Sequence, residues 1–302
     1  MNSAPRITVV VCTFNHAASL LLTLESFARA AAVPAPTWEL IVVDNNSSDS
    51  TAELVRVFAA QAPFILRYLF ERRQGLSNAR NCGLQAATGE IVAFTDDDVR
   101  ISDTWIRELA SEYADQSVVM VCGRTVPLRK EVYPLGIKDA PERVVYRHPC
   151  GPLEVGVGNN MSVRLAVARS IGPFDPRLGA GTRSGSAEDT DFLYRALKAG
   201  HPVVYTPAAV VYHDHDRVTS EQVEHIRRNY RRGYAAFLTK HVLRCDRWAL
   251  RLAYWDQHAM WRHAKYRAED RTRTRWFPLE YWKGSWYRVC DEVGDLFRRR
   301  PT

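Results

Sequence analysis

Residues 90–100 read EIVAFTDDDVR. The first half is a short apolar run of the kind that forms a strand buried on both faces, and the second half sets Asp96, Asp97 and Asp98 side by side where that strand would end. Adjacent carboxylates repel, and in the next turn of sequence only Arg100 carries the opposite charge. Neutralisation is therefore expected from outside the chain. A hard divalent cation suits the role, because Mg²⁺ and Mn²⁺ take oxygen ligands and commonly combine one or two carboxylates with substrate phosphates. A solvated acidic turn is the competing reading.

Working outward, the same kind of run recurs as ITVVVCTF (7–14), WELIVVD (38–44), FILRYLF (64–70) and SVVMVCG (117–123). Between these runs, SLLLTLESFARA and TAELVRVFAA carry helical apolar spacing. Strand and helix in alternation predict an α/β fold, a mostly parallel, Rossmann-like sheet flanked by helices, with ligands at the carboxyl ends of its strands. Thr13 and Asn15, Asp44 and Asn45, and the three aspartates all follow predicted strands, so all should open onto one edge. Residues 124–187 are Pro- and Gly-rich and read as loops over that edge. EDTDFLYRALKAG predicts a helix stopped by Gly200 and Pro202, and VVYTPAAVVYHDHD a strand pair or extended segment.

The chain has 302 residues, 46% hydrophobic and 25% charged, the composition of an ordinary globular protein. Its net charge of +7 is uneven. Residues 1–216 hold 21 Lys+Arg against 24 Asp+Glu, while residues 217–302 hold 20 against 10 together with six of the eight tryptophans. The shift marks a boundary: a domain over 1–216, with halves at about 1–123 and 124–216, and a basic, aromatic, helical extension over 217–302. The six cysteines are scattered without a C-x-x-C pair and read as free, mostly buried thiols. No apolar run reaches the roughly 20 residues of a bilayer-spanning helix, and the first residues lack a signal-peptide pattern. The expected location is cytoplasmic, with peripheral attachment to the inner membrane face through 217–302 as the alternative to simple packing of those helices. No nucleic-acid motif accompanies the basic tail.

Several features sharpen the chemistry. QGLSNARNCGL (74–84) puts a Gly, a Ser and Arg80 at a helix start that favours an anion such as a phosphate; otherwise it is a capped helix with Ser77 as N-cap. Glu188 and Asp189 open the EDTDFLYRAL helix, and His213 and His215 follow an apolar strand.

The succession CTFNH, VVDNNSSD, GLSNARNCG, FTDDD, GNNMSVRL, FDPRLG and AEDTDFLYRALKAG resembles the inverting family-2 glycosyltransferases of GT-A fold, from about Ile7 to Asp216. The resemblance implies a nucleoside diphosphate sugar donor, a hydroxyl acceptor and a divalent metal, Mn²⁺ or Mg²⁺. It implies Asp98 as principal metal ligand and Asp96 as contact to the metal or donor ribose. His213 would complete the metal sphere or be structural, with His215 as its substitute. Asp44 would accept a hydrogen bond from the base, with uridine favoured, and Thr13 and Asn15 would line that pocket. Arg80 would contact nucleotide or phosphate. Asp189 would be the general base with Glu188 beside it, and Asn159, Asn160 and Met161 would form a platform under sugar and acceptor. The glycine-rich GAGTRSGS is expected to order over bound donor. A nucleotidyltransferase should instead show a basic glycine-rich loop after the first strand, where this chain has CTFNHAAS. A non-catalytic nucleotide-sugar binder should lack the metal and base carboxylates, and both sets are present.

Overall fold

The computed structural model describes residues 6–129, 133, 135–215, 217, 219–266 and 276–298. The chain divides into two compact units, Met1–Phe174 with Phe192–Val218, and Asp175–Asp191 with Thr219–Thr302. Residues 175–191 group with the C-terminal helices.

The first unit is built on nine strands: β1 Ile7–Thr13, β2 Trp38–Asp44, β3 Ile65–Phe70, β4 Ile91–Asp96, β5 Val99–Ile101, β6 Met120–Pro127, β7 Val144–Tyr146, β8 Met161–Arg164 and β9 Val203–His213. Their order is β3-β2-β1-β4-β8-β6-β9-β5, with β7 on β9. The half from β3 to β4 is parallel throughout, whereas β8 runs antiparallel to β4 and β6 and turns the remainder into a mixed sheet. Helices α1 Ala17–Ala30, α2 Thr51–Ala59, α3 Leu76–Ala86, α4 Trp105–Glu112, α5 Pro152–Val155 and α6 Leu165–Ile171 lie between the strands, and α7 Glu188–Lys198 precedes β9.

Strand alternation divides the core into two layers. Ile7, Val9, Val11, Leu40 and Val42 face one cluster with Leu24, Phe27 and Trp105, while Val10, Ile41, Val43 and Phe94 face the other with Phe174 and Phe192. Burial on both sides is why these strands read as unbroken apolar runs. Each fully buried Val or Leu contributes about 1.5–3 kcal/mol.

Two expectations for this unit change, and one pair of alternatives resolves. The 124–187 stretch is not all loop, since Met161–Arg164 is an interior strand of only four residues, too short for a periodic signal. The 203–213 run is a single strand, the extended segment that stood as the alternative to a pair, with a register shift against β6 between Gly123 and Arg124. Helix α3 is capped by Gly75 at φ 122, a conformation that favours glycine, and Ser77 lies buried inside its first turn.

Asn160 joins β8 to its surroundings from within. Its Oδ1 accepts from the buried Trp105 Nε1 at 3.0 Å, and its Nδ2 donates to the carbonyls of Arg124 and Ala209, each at 2.9 Å. Asn160→Ala would strand an indole N–H and two carbonyls, each unsatisfied group costing about 1–3 kcal/mol. Denaturant unfolding should show a loss of about 3 kcal/mol or more, and a loss under about 1 kcal/mol would contradict this assignment.

The second unit contains α8 Ser220–Val242, α9 Arg247–Tyr266 and α10 Trp276–Arg298. A reciprocal capping box starts α8: Thr219 Oγ1 accepts from the Gln222 amide and the Gln222 side chain accepts from the Thr219 amide. A side chain at Gly284 would overlap the Arg232 carbonyl, so α10 packs against α8 at close range. Among the described residues no helix is long and apolar enough to cross a membrane. All six cysteines are free, but only Cys12 and Cys122 are buried, so the expectation of mostly buried thiols does not hold.

Candidate functional site

Parallel pairing brings the carboxyl ends of β1, β2 and β4 to one edge, as the sequence predicts. Thr13 sits opposite Asp44 and Cys12 opposite Asp96 in the ladder. The three aspartates occupy the β4 end and the turn into β5, and each has its own neighbours. Arg80, 2% exposed, donates to Asp96 Oδ1 at 3.2 Å. Desolvation still pushes the Asp96 carboxyl up to about 6, with Arg80 opposing the shift.

The middle aspartate is the most heavily tied. Thr13 Oγ1 donates to Asp97 Oδ2 at 2.6 Å, His16 Nδ1 lies 3.1 Å from Oδ1, and Ser19 and Thr23 hydroxyls bond the Asp97 carbonyl. Asp97 therefore holds α1 against the turn, a role absent from the sequence reading. Arg100, the one opposite charge in the next turn of sequence, makes its closest carboxylate contact elsewhere. It bonds the Val99 carbonyl and lies 3.7 Å from Asp214.

Asp98 stands apart. Its Oδ1 is buried and makes no hydrogen bond, yet lies 3.4 Å from His213 Nε2. Register explains the meeting: β5 pairs antiparallel with β9 so that Val99 faces His213, and the Asp214 amide extends the ladder to the Asp98 carbonyl. His213 Nδ1 lies 3.1 Å from the Leu135 carbonyl, which can only accept, so Nδ1 donates and Nε2 is left toward Asp98. Burial works against a charged His213, but Asp98 and Asp96 outweigh it and hold its pKa above the ordinary 6.5.

An imidazole nitrogen and a hydrogen-bond-deficient carboxylate oxygen face to face fit a divalent cation. The backbone carbonyl behind the ring is the customary outer support for such a histidine. Among the described residues no three His, Cys, Asp or Glu side chains form a ready-made ligand set. The pair suits a cation whose remaining ligands come from phosphate and water. His215 has no such geometry. Its Nε2 contacts the Tyr133 carbonyl at 2.8 Å, its Nδ1 accepts from the Arg217 amide, and desolvation lowers its pKa.

Of the nucleotide-pocket candidates, Asp44 is buried and already accepts from the Ser47 amide and from Tyr68 Oη at 2.7 Å. Each carboxylate oxygen retains a second lone pair for a ligand. Burial and Asp44 push the Tyr68 hydroxyl up to about 12. Tyr68 was not singled out in the sequence, because β3 offered no polar cluster to mark it. Asn15, at φ 50, bridges loops: its amide donates to Ser47 Oγ and its Oδ1 accepts from the Ser48 amide. Asn45 accepts from the Gly75 amide and donates to the Glu71 and Arg73 carbonyls, fixing the entry into α3.

The expected platform residues are all buried. Asn159 Oδ1 accepts from Thr125 at 3.0 Å, Asn160 is consumed as described above, and Met161 lies in the core at 1% exposure.

Glu188 and Asp189 belong to the second unit. Both stand in the first turn of α7, Glu188 at 6% exposure, and Asp189 Oδ1 accepts from the Thr190 amide at 2.7 Å. The glycine-rich stretch before them is tied to itself. The Gly179 amide donates to the Ser186 carbonyl, Thr182 Oγ1 to the Gly179 carbonyl, and the Gly185 amide to Thr182 Oγ1. These bonds close the stretch on itself.

The family model Glycosyl transferase family 2 matches residues 8–149, and Glycosyl transferase family group 2 matches residues 91–279. The chain is 26% identical over 210 residues to Glycosyltransferase AglE of Haloferax volcanii, covering 68% of this chain and 65% of that one. It is 30% identical over 220 residues to Succinoglycan biosynthesis protein ExoM of Rhizobium meliloti, covering 70% and 67%. The chain thus spans about two thirds of the length of these curated relatives. Among solved structures, the mannosyltransferase PcManGT from Pyrobaculum calidifontis, in complex with GDP-Man and Mn²⁺, superposes with a TM-score of 0.62 at 20% identity, over 99% of this chain and 89% of that one. With the nine-stranded α/β sheet, the carboxylate edge and these matches together, the chain belongs to glycosyl transferase family 2.

Proposed function

We propose that this protein is a metal-dependent inverting glycosyltransferase that moves a sugar from a nucleoside diphosphate sugar to a hydroxyl acceptor. The observation that carries the reading is the Asp98–His213 pair, a buried oxygen without a hydrogen bond beside a ring nitrogen of assigned tautomer. Support for the donor class comes from the PcManGT complex with GDP-Man and Mn²⁺. The succinoglycan relative supports a role in polysaccharide biosynthesis.

Asp98 and His213 would hold Mn²⁺ or Mg²⁺, with Asp96 beside them. When bound, such a cation offsets charge on the departing diphosphate. Asp44 accepts from the base, with uracil preferred and guanine the alternative, while Thr13, Asn15 and Arg80 shape the walls around the nucleotide. Asp189 takes the proton of the acceptor hydroxyl as that oxygen attacks the anomeric carbon, with Glu188 aiding its placement. A single displacement inverts the anomeric centre. Calorimetric titration of UDP, dTDP, GDP and CDP with Mn²⁺, then with chelator, tests the reading. Binding indifferent to metal for every nucleotide would overturn it.

We also propose peripheral attachment of the helical unit to anionic membrane. In α10, Leu279, Trp282, Trp286 and Val293 are exposed at helical spacing, and in α9 Leu250, Tyr254 and Trp255 are exposed beside Arg247 and Arg251. Aromatic and Arg residues on one helix surface suit the headgroup region. Vesicles with anionic lipid should pellet the protein, and Trp282→Ala with Trp286→Ala should lower the bound fraction several-fold. Equal pelleting by neutral and anionic vesicles would contradict it.

A further inference from the structure

One buried cation joins the two ends of the segment that carries Glu188 and Asp189. Lys240, on α8, is 4% exposed and places Nζ 2.9 Å from Asp175 Oδ2 and 2.8 Å from Asp191 Oδ1. Those two aspartates are the first and last residues of the 175–191 segment of the second unit. Each carboxylate has further support: Arg288 Nη1 lies 2.7 Å from Asp175 Oδ2, and His241 Nε2 lies 2.9 Å from Asp191 Oδ1. Two to three turns earlier on α8 the segment is seated at Ser186 as well. Ser186 Oγ donates to the Asn229 carbonyl, and a side chain at Gly233 would overlap Ser186. Positions 229, 233 and 240 share one helix face, so a single stripe of α8 meets the segment at both ends and at Ser186.

An ion cluster is a costly way to achieve packing alone. Apolar side chains of similar volume commonly stabilise as well or better, because desolvating the charges offsets much of their attraction. What Lys240 adds is a set separation between Asp175 and Asp191, and hence a set geometry for what the chain carries between them. Asp189 is two residues from one anchor.

We propose that Lys240 is a positioning residue, clamping the 175–191 segment so that Asp189 is held for proton transfer. The proposal rests on the reading of Asp189 as the base. A displacement of about 1 Å at such a group costs about a hundredfold in rate.

The test compares wild type with Lys240→Met and Lys240→Arg. Three quantities are read: hydrogen exchange of peptides within 175–191, calorimetric affinity for UDP and GDP with Mn²⁺, and nucleotide release from UDP-glucose and GDP-mannose as probe donors. In Lys240→Met, exchange across 179–190 should rise about tenfold or more while that of β1 and β4 stays unchanged. Nucleotide affinity should stay within about twofold, kcat for release should fall about tenfold or more, and Lys240→Arg should recover most of both losses. Unchanged exchange in Lys240→Met, or nucleotide affinity lost in step with kcat, overturns the proposal. Should Lys240→Met fail to fold because its partners are left charged, the double variant Lys240→Met with Asp175→Asn relieves that charge, and wild-type exchange in it overturns the clamp equally. The two readings separate cleanly. Full turnover in Asp189→Asn removes the base assignment, whereas the exchange measurement decides the clamp without reference to turnover.

Discussion

Asp98→Ala is expected to abolish metal-dependent nucleoside diphosphate binding, lowering affinity in the presence of Mn²⁺ about a hundredfold or more. Loss of a supporting group outside the coordination sphere already costs about 10–100-fold in metal affinity, and removal of a direct ligand should cost at least as much. Turnover should fall further, by about 10³, because several kcal/mol of charge stabilisation disappear with the cation and each 1.36 kcal/mol is tenfold in rate. The neighbouring aspartate provides the control. Asp97 is bonded by Thr13 and flanked by His16, so Asp97→Asn should affect stability more than metal dependence. Protons compete for the same place: His213 titrates above its ordinary value, so a cation must displace a proton there as pH falls. Metal-dependent affinity should weaken as pH drops through that raised pKa and be restored above it. Titration calorimetry at a series of pH values, with chelator as blank, reads both effects. Mn²⁺-dependent binding retained in Asp98→Ala would remove the metal assignment.

The second large effect is expected at Asp189→Asn. Removal of a general base typically costs 10²–10⁴ in rate, so kcat should fall by about that factor. The substitution is nearly isosteric, and an asparagine Oδ1 still accepts from the Thr190 amide that bonds Asp189 now, so the start of α7 should survive. Nucleotide affinity should stay within about twofold, which separates a base from a residue that merely holds the fold. Steady-state measurement of nucleotide release, alongside calorimetry on the same sample, provides the comparison. A kcat within about fivefold of wild type would sink the assignment. Glu188→Gln should have the smaller effect if Glu188 only assists placement.

Much of the first unit was legible locally. The strands β1, β2 and β4 are buried on both faces, and that condition writes itself into sequence as a continuous apolar run. Because the carboxyl ends of parallel strands share an edge, the position of Asp96–Asp98 beside Thr13 and Asp44 followed from order alone. The four-residue strand β8 was not legible. It is shorter than the window over which periodicity can be recognised, and Asn159 and Asn160, in the turn just before it, are hydrogen-bonded into the interior.

By itself, then, the sequence determined the α/β architecture, the acidic edge of the sheet, the Glu188–Asp189 helix start and the basic helical tail. These depend on periodicity and residue type within a dozen positions. Which partner each aspartate meets was decided only by tertiary structure. Asp96 receives Arg80 from α3, Asp97 receives Thr13 and His16, and Asp98 receives His213 because β5 and β9 pair in one register. The grouping of residues 175–191 with the C-terminal helices is of the same kind, since Lys240 lies far along the chain from both carboxylates it joins. The charge of a side chain is local chemistry, but the choice of its counter-charge is made by strand register and helix packing, which no short window of sequence contains.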